Sequence, residues 1–160
     1  MQNGTVPFSP RSLIVEQLVR DEFEIARPNA GQKKITLTSD VPKSLIIGAD
    51  ENMFRNILRN LVSNAVKFTP KGGEVHLSAE VVDAAVVISV TDNGVGMKPD
   101  DIEKLFKIET NFSTRGTESE KGTGLGLLLC KEFVEKHGGK IWIESKEGIG
   151  SKFSFTIPAL

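Results

Sequence analysis

The sequence is poor in the residues that mark disulfide-bonded proteins, cysteine metal sites and histidine-dependent hydrolases. Its 160 residues include one cysteine, Cys130, and two histidines, His76 and His137. A single cysteine excludes a disulfide within the chain and a metal site built from cysteines. Neither histidine stands in an arrangement with serine and an acid that would indicate a nucleophilic triad. Because Cys130 falls in an apolar helical pattern, we expect it to be a buried structural thiol.

The sequence also lacks an excess of either charge and any long apolar run. Twenty Lys and Arg residues balance 21 Asp and Glu residues, so no basic field predicts binding to nucleic acid or an anionic membrane. No apolar run approaches the roughly 20 residues that span a bilayer, and the first residues lack the pattern of a signal peptide. We therefore expect a cytoplasmic domain without membrane contact of its own, whether or not a parent protein is membrane-anchored.

Size and patterning predict a single domain with a tail. Pro7 and Pro10 break regular structure, so we assign residues 1–10 to a linker or tail and residues 11–160 to the domain. Periodicity predicts helices at 11–26, 50–69, 99–106 and 124–137, and strands near 35–37, 45–47, 74–82, 85–92, 140–144 and 152–157. Regular βαβ alternation is missing. The pattern favours an α+β fold, a two-layer sandwich with about three helices on one face of a mixed sheet.

The helix that begins near Asp50 carries an unusual polar stripe. Asn60, Asn64 and Lys67 are spaced four and three residues apart and lie nearly opposite the apolar face of the helix. Two carboxamides and an ammonium in one file are typical of a site for a metal and phosphate. A solvated polar face is the other interpretation of this helix alone.

A carboxylate and two glycines follow the clearest β segment. Asp92 continues the alternation of Val86, Ile88 and Val90, which predicts that it faces the layer between sheet and helices. A buried carboxylate needs a donor, and the exocyclic amine of adenine is a suitable one. Glycines at 94 and 96 would allow a flat base to approach the backbone. Asp-Asn-Gly is also a common turn sequence, so this segment alone leaves both interpretations open.

A glycine cluster opens the last predicted helix. Gly122-Thr123-Gly124-Leu125-Gly126 would free several amide N–H groups near a helix start, where a phosphate binds well. The long polar segment 107–122 precedes it, and a loop of that length in a compact domain is usually functional. The cluster is neither a P-loop nor a dinucleotide-binding fingerprint, because the residues and strand that those motifs require are missing.

The order of these three motifs resembles the catalytic ATP-binding domain of sensor histidine kinases, in the GHKL ATPase superfamily. The resemblance covers roughly residues 8–158. It includes the N box at 60–69, the G1 box at 92–96 and the G2 box at 122–126. It extends through His137-Gly138-Gly139 and Trp142 to the closing segment 150–158.

The resemblance implies the Bergerat fold, with ATP and Mg²⁺ as ligands beneath a mobile lid. Asp92 would bind the adenine amine and Gly96 would lie near the base. Asn64, with Asn60, would hold Mg²⁺ on the phosphates, and Lys67 would contact phosphate. The remaining nucleotide contacts would come from Gly94 and from the G2 residues Gly122, Thr123, Gly124, Leu125 and Gly126.

The F box departs from the family pattern. The family pairs two phenylalanines closely, whereas here Phe106 and Phe112 are separated by five residues. Which of them packs under the lid is therefore left open. Arg115 and Lys121 are weaker candidates for cations that contact phosphate or the acceptor.

Asn60 separates the functional alternatives within the superfamily. In the hydrolytic relatives a glutamate at this place activates water, and a carboxamide cannot act as a general base near neutral pH. The resemblance therefore implies transfer of the γ-phosphoryl group to a histidine on a dimerisation domain, with a response regulator downstream. We expect no phosphoacceptor motif in this chain, since neither His76 nor His137 lies in one. A serine kinase of the anti-sigma-factor type and a non-catalytic nucleotide sensor remain alternatives.

Overall fold

The computed structural model describes residues 7–104 and 126–159. In chain order its elements are β1 (Pro10–Ile14), α1 (Val15–Gln32), β2 (Thr36–Asp40), β3 (Ile46–Asp50), α2 (Glu51–Lys67), β4 (Glu74–Val82), β5 (Ala85–Asp92), α3 (Pro99–Lys104), α4 (Gly126–Lys136), β6 (Ile141–Lys146) and β7 (Gly150–Pro158). No helix within these described ranges has the length and apolar character needed to cross a membrane.

Five strands form the main sheet, in the order β2-β4-β5-β7-β6. The β2–β4 pair is parallel and the other three pairs are antiparallel, so the sheet is mixed, as predicted. The predicted β4–β5 hairpin is confirmed, and Asp83 occupies its turn with φ 57°. Because β5 is the central strand, its last residue, Asp92, lies between Val75 of β4 and Ser151 of β7.

Helix α2 supplies the centre of the core. One face of it is buried against the sheet and the neighbouring helices, and the ring of Phe54 meets Phe155 of β7 edge-on at 6.0 Å. The buried residues are the predicted apolar face, Phe54, Ile57, Leu58, Leu61, Val62, Ala65 and Val66, together with Met53, which the prediction did not include. The two-layer α+β architecture predicted from the sequence is confirmed.

The N-terminal part differs from the sequence prediction. Helix α1 was expected to begin at Arg11 and to end before Pro28, but residues 10–14 form β1 and the helix continues to Gln32. Strand β1 pairs with β3, more than 30 residues away, and local periodicity does not report such a partner. Pro28 leaves the carbonyl of Glu24 without its helical donor, and both residues are exposed, so water can replace that bond.

A buried carboxylate joins α1 to α2. Glu22 is 2% exposed and accepts hydrogen bonds from Nε of Arg59 at 2.9 Å and from Nη1 of Arg55 at 3.3 Å. Both guanidinium groups retain contact with water, whereas the carboxylate does not. Loss of either arginine would leave this buried carboxylate less well compensated, so the pairing constrains how α1 and α2 pack.

Both ends of α2 are held by residues from other segments. Oδ1 of Asp50 accepts the N–H of Met53 at 3.0 Å as the N-cap, and Oδ2 accepts the N–H of Ser9 at 2.8 Å. At the other end the buried Lys33 ammonium donates to the carbonyls of Val66 at 3.0 Å and Lys67 at 3.1 Å. The helix that carries the predicted polar stripe is thereby fixed in position along its axis.

The N-cap makes the stability of the domain depend on pH. Burial acts to raise the pKa of Asp50, but the donors Ser9, Met53 and Asn52, together with His137, outweigh it and hold the pKa below its usual value. The ionised carboxylate therefore stabilises the fold above about pH 4, and this contribution is lost as the pH falls through the lowered folded-state pKa.

We predict that Asp50→Ala lowers the free energy of unfolding at pH 7 by about 0.5–2 kcal/mol, because α2 loses its cap. Asp50→Asn keeps an oxygen for the Met53 N–H and should lose less. Urea denaturation measures both. The difference between wild type and Asp50→Asn should shrink as the pH falls below about 4; a difference that stays constant with pH would contradict the assignment.

Candidate functional site

Asp92 lies at the end of the central strand with its carboxylate in the layer between sheet and helices. It is 5% exposed, and the alternating residues before it are fully buried, as the strand pattern predicted. Its Oδ1 accepts the N–H of Gly94 at 2.9 Å and of Ser151 at 3.3 Å. Within residues 7–104 and 126–159 no donor reaches Oδ2, so that oxygen is the one that can accept from a ligand.

The surroundings of Asp92 disfavour its charge. Burial raises the pKa of the Asp92 carboxyl above its ordinary value, and the N–H groups of Gly94 and Ser151 only partly oppose that effect. A ligand that donates a hydrogen bond to Oδ2 would compensate for the lost hydration. The arrangement is therefore suited to recognising an amine on an otherwise apolar ligand.

The loop after Asp92 is fastened to the end of α2. The N–H of Val95 donates to the carbonyl of Phe68 at 3.1 Å. A Cβ on Gly94 would overlap the same carbonyl and would stand 2.9 Å from Oδ1 of Asp92. Only glycine at residue 94 allows the loop to lie this close to the helix.

Gly96 serves the same purpose on the other side of the loop. Its φ is +69°, and a Cβ there would overlap the carbonyl of Lys146. The sequence predicted that Gly94 and Gly96 make room for a flat base. The structure gives a different reason for both glycines: the side on which each Cβ would stand is filled by backbone of the protein itself.

Asn60 has a defined amide orientation. Its Nδ2 donates to the backbone carbonyl of Asn56 at 3.0 Å and to Oδ1 of Asn56 at 2.6 Å. Because both neighbours are oxygens, the nitrogen of Asn60 must face them, and its Oδ1 points to the opposite side. Oδ1 faces the first turn of α4, where a Cβ on Gly126 would be 2.8 Å away.

The N box and the end of the G2 box are therefore in direct contact. Gly126 is the first residue of α4, and the missing Cβ is what allows α4 to approach Asn60. Cys130, one turn further along α4, is buried against α2, where its Sγ lies 3.9 Å from the carbonyl of Ile57. The other G2 residues, Gly122, Thr123, Gly124 and Leu125, lie outside the described residues, as do Phe106, Phe112, Arg115 and Lys121.

Asn64 and Lys67 occupy the last turns of α2, beside the Phe68–Val95 connection. Both side chains are half-buried, and the backbone carbonyl of Asn64 accepts the N–H of Phe68 at 3.0 Å. Nζ of Lys67 lies 4.9 Å from the centroid of the Phe68 ring, a cation–π contact. The structure thus brings Asn60, Asn64, Lys67 and Gly126 onto or against α2 and fastens the Asp92 loop to the end of that helix.

The comparisons with known proteins agree with this geometry. A profile of the histidine kinase-, DNA gyrase B- and HSP90-like ATPases matches residues 49–160. The chain belongs to this ATPase family. It is 36% identical over 150 residues to the adaptive-response sensory kinase SasA of Synechocystis sp., covering 92% of this chain and 39% of that relative. The chain thus spans about two fifths of the length of the SasA kinases it matches.

Solved structures place the ATPase domain among histidine kinase catalytic domains. The catalytic domain of the histidine kinase ThkA superposes with a TM-score of 0.81 at 30% identity, covering 96% of this chain and 97% of that one. ThkA in complex with the response regulator protein TrrA superposes with a TM-score of 0.78 at 26% identity, covering 96% of this chain and 42% of that one. Full-length ShkA in complex with AMPPNP superposes with a TM-score of 0.82 at 33% identity, covering 96% of this chain and 32% of that one. The chain is a histidine kinase catalytic domain with the mixed-sheet fold expected from its motifs.

Sequence reasoning missed three residues of the ATPase domain that hold the predicted ligand-binding side chains in place. Asn56 lies one turn before Asn60, so its four-residue spacing could have revealed it. Ser151 holds Asp92, and Ser145 contacts Ser151, at 2.7 Å between the two Oγ atoms. No local pattern reveals the two serines, because they reach Asp92 only through the pairing of β5, β6 and β7.

Cys130 and His137 have structural roles in the ATPase domain. Burial raises the pKa of the Cys130 thiol to about 12, although the nearby Asn60 side chain acts in the other direction, and such a thiol is unreactive at neutral pH. Nε2 of His137 lies 3.1 Å from the N–H nitrogen of Asp50, and its Nδ1 lies 2.7 Å from the carbonyl of Phe133, so this side chain connects the end of α4 to the start of α2.

We predict that Gly126→Ala destabilises the domain only while Asn60 is present, because the new Cβ would meet Asn60 Oδ1. Alanine ordinarily gains about 0.5–1 kcal/mol over glycine in a helix. Urea denaturation of Gly126→Ala, Asn60→Ala and the double variant forms a cycle that isolates the contact. Gly126→Ala alone should lower the free energy of unfolding. In the Asn60→Ala background the same substitution should leave the free energy of unfolding unchanged or raise it. Additive effects of the two substitutions would refute the contact.

Proposed function

We propose that this catalytic domain binds Mg-ATP and transfers the γ-phosphoryl group to a histidine on a separate dimerisation domain. The observation that carries the proposal is the carboxamide of Asn60, which replaces the glutamate of hydrolytic relatives. Its nitrogen is engaged by two oxygens of Asn56. An amide in this setting cannot take a proton from water, so the site favours transfer over hydrolysis.

The adenine end of the nucleotide is assigned to Asp92. Its buried carboxylate has Oδ2 directed away from both backbone donors, and its raised pKa reflects a group that gains from an external donor. Gly94 and Gly96 would keep the loop close enough to α2 and the β6–β7 turn to leave a narrow space beside the carboxylate. We infer that the exocyclic amine of adenine binds there.

The phosphate end is assigned to the polar stripe of α2. Asn64, together with Asn60, would offer carboxamide oxygens to Mg²⁺, a ligand type that suits this ion when phosphates and water complete the shell. Lys67 would contact phosphate, and the segment 122–126 would supply backbone N–H groups at the start of α4. Bound Mg²⁺ would neutralise charge on the phosphates.

The acceptor brings its own nucleophile. A neutral imidazole nitrogen carries a lone pair, so it can attack the γ-phosphorus without a general base on the enzyme. A bond from that nitrogen to phosphorus forms, and the bond from phosphorus to the bridging oxygen of ADP breaks. The chain's own residues then have the task of binding and orienting the triphosphate, which is how proteins catalyse most phosphoryl transfers.

We propose that residues 11–160 are the domain and that residues 1–10, of which Ser9 and Pro10 already contact it, lead towards other parts of a longer cytoplasmic or membrane-anchored kinase. The relatives are longer than this chain, which supports the presence of a dimerisation domain in the complete protein. The ThkA complex with TrrA supports a response regulator as the downstream partner. No described feature calls for nucleic acid or a membrane surface as a partner of this domain.

We predict that calorimetric titration with Mg-ATP separates the two ends of the site. Asp92→Ala should abolish measurable binding, because the base loses its acceptor. Asn64→Ala should mainly remove the Mg²⁺-dependent part of the affinity, leaving binding in EDTA nearly unchanged. Affinity in wild type should fall with decreasing pH sooner than for an ordinary aspartate, because the raised pKa of Asp92 lets it protonate earlier. Equal ATP binding by wild type and Asp92→Ala would refute the assignment.

We predict that the chain alone forms no phosphohistidine with labelled ATP and that adding a cognate histidine-bearing dimerisation domain produces an acid-labile, base-stable label on that partner. The Asn64→Ala variant should lose this labelling and serves as the control. Acid-stable label on a partner serine would favour a serine kinase. ATP binding without transfer to any supplied partner would favour a nucleotide sensor.

A further inference from the structure

Ser145 of β6 has three polar partners on two different segments. Its Oγ donates to the carbonyl of Gly150 at 3.1 Å, accepts the N–H of Met97 at 2.9 Å and lies 2.7 Å from Oγ of Ser151. A hydroxyl has one proton to donate and two lone pairs to accept with. Since the proton goes to Gly150, the Ser151 hydroxyl must be the donor in the third contact. The hydrogen-bonding capacity of Ser145 is therefore fully used.

The first segment that Ser145 holds is the loop that follows Asp92. Besides the Met97 contact, the carbonyl of Val95 accepts the N–H of Gly148 at 2.7 Å. Gly96 lies between these two bonds, with its α-carbon against the carbonyl of Lys146. The β6–β7 hairpin thus holds this loop on one side, while Phe68, the residue directly after α2, holds it on the other.

The second segment is the start of β7, which contacts Asp92 directly. Ser151 is the register partner of both Ser145 and Asp92, and its N–H donates to Oδ1 of Asp92. A Cβ on Gly150 would overlap the carbonyl of Asp92, so the backbones touch there too. Ser145 fixes both residues, through the Gly150 carbonyl and the Ser151 hydroxyl.

We propose that Ser145 is a positioning residue for base specificity: by fixing both the Met97 loop and the start of β7, its hydroxyl keeps Oδ1 of Asp92 occupied and Oδ2 directed at the base amine. The inference rests on the proposed role of Asp92 in adenine binding. Ser145 does not touch the nucleotide itself. Its effect reaches the base through the two donors that orient the carboxylate, Gly94 in the held loop and Ser151 in the held strand.

This role predicts a loss of selectivity rather than a uniform loss of affinity. A carboxylate that can rotate still accepts hydrogen bonds, but it no longer discriminates by position between an amine and a carbonyl on the ligand. Inosine triphosphate is the matched probe, since it carries a carbonyl oxygen where ATP carries the exocyclic amine. The ratio of the two affinities reports base recognition, and the contacts to phosphate cancel from it.

The test uses the full chain and a pair of variants that differ only in the hydroxyl. Ser145→Thr keeps the oxygen and Ser145→Val replaces it with a methyl group, and both residues suit a strand. Ser145→Ala is the smaller alternative should the branched variants pack poorly. Ser154→Ala is the control: it removes the 2.9 Å contact between the hydroxyls of Ser89 in β5 and Ser154 in β7, away from Asp92. Thermal unfolding checks that each variant is folded.

Wild type should prefer ATP over inosine triphosphate by about tenfold or more, the size expected for a hydrogen bond to a charged group. Ser145→Val and Ser145→Ala should lower that ratio by about three- to tenfold, whereas Ser145→Thr and Ser154→Ala should keep it. An unchanged ratio in folded Ser145→Val and Ser145→Ala, with or without a common loss of affinity, would overturn the inference while leaving the role of Asp92 intact. A wild-type ratio near one would instead overturn the assignment of Asp92 to adenine, and this inference with it.

Discussion

The site depends on how the carbonyl groups at the C-terminal end of α2 are satisfied. The last carbonyls of a helix have no partners within it. Here the carbonyl of Ala65 accepts a hydrogen bond from the Thr69 hydroxyl at 2.6 Å, and the carbonyls of Val66 and Lys67 accept hydrogen bonds from the buried Lys33 ammonium. The carbonyl of Phe68 accepts the N–H of Val95. Two segments distant in sequence are therefore drawn to one helix end, and one of them is the loop that follows Asp92. The same bonds that complete the helix also bring the proposed base acceptor beside the proposed phosphate stripe.

Much of this arrangement could be predicted from local sequence patterns. The apolar face of α2, the β4–β5 hairpin and the inward direction of Asp92 all follow from periods of 3.6 and 2, which the structure confirms. The order of the N, G1 and G2 boxes in the sequence was sufficient to predict the fold and the family. These successes share one property: each concerns which side of an element a residue faces. Residues a few places apart in the chain determine that side, so a short window of sequence contains the information.

What could not be predicted depends on contacts between distant segments. Strand β1 exists because β3 pairs with it, and nothing between Arg11 and Ile14 excludes a helix. The burial of Lys33 depends on where α2 ends, more than 30 residues later. Motif glycines are similar: a Cβ on Gly96 would meet the carbonyl of Lys146, and a Cβ on Gly126 would meet Oδ1 of Asn60. A sequence shows that a glycine is present but not which atom its missing Cβ would meet. The sequence suggested that these glycines make room for a ligand, whereas in the structure they make room for other atoms of the protein.

Asn60 shows that the environment and the residue type must be judged together. The backbone carbonyl of Asn56, 3.0 Å from the Asn60 amide nitrogen, belongs to the helix and cannot rotate away. A glutamate at residue 60 would bring an anionic oxygen towards that carbonyl and towards the Asn56 side-chain oxygen, where only a donor is favourable. On the opposite side, Oδ1 of Asn60 faces Gly126, where a Cβ would stand 2.8 Å from that oxygen. The surroundings of residue 60 therefore favour a group that can donate towards Asn56. A carboxamide can donate there, whereas the carboxylate of a hydrolytic general base cannot, so the contact with Asn56 supports the proposed transfer rather than hydrolysis.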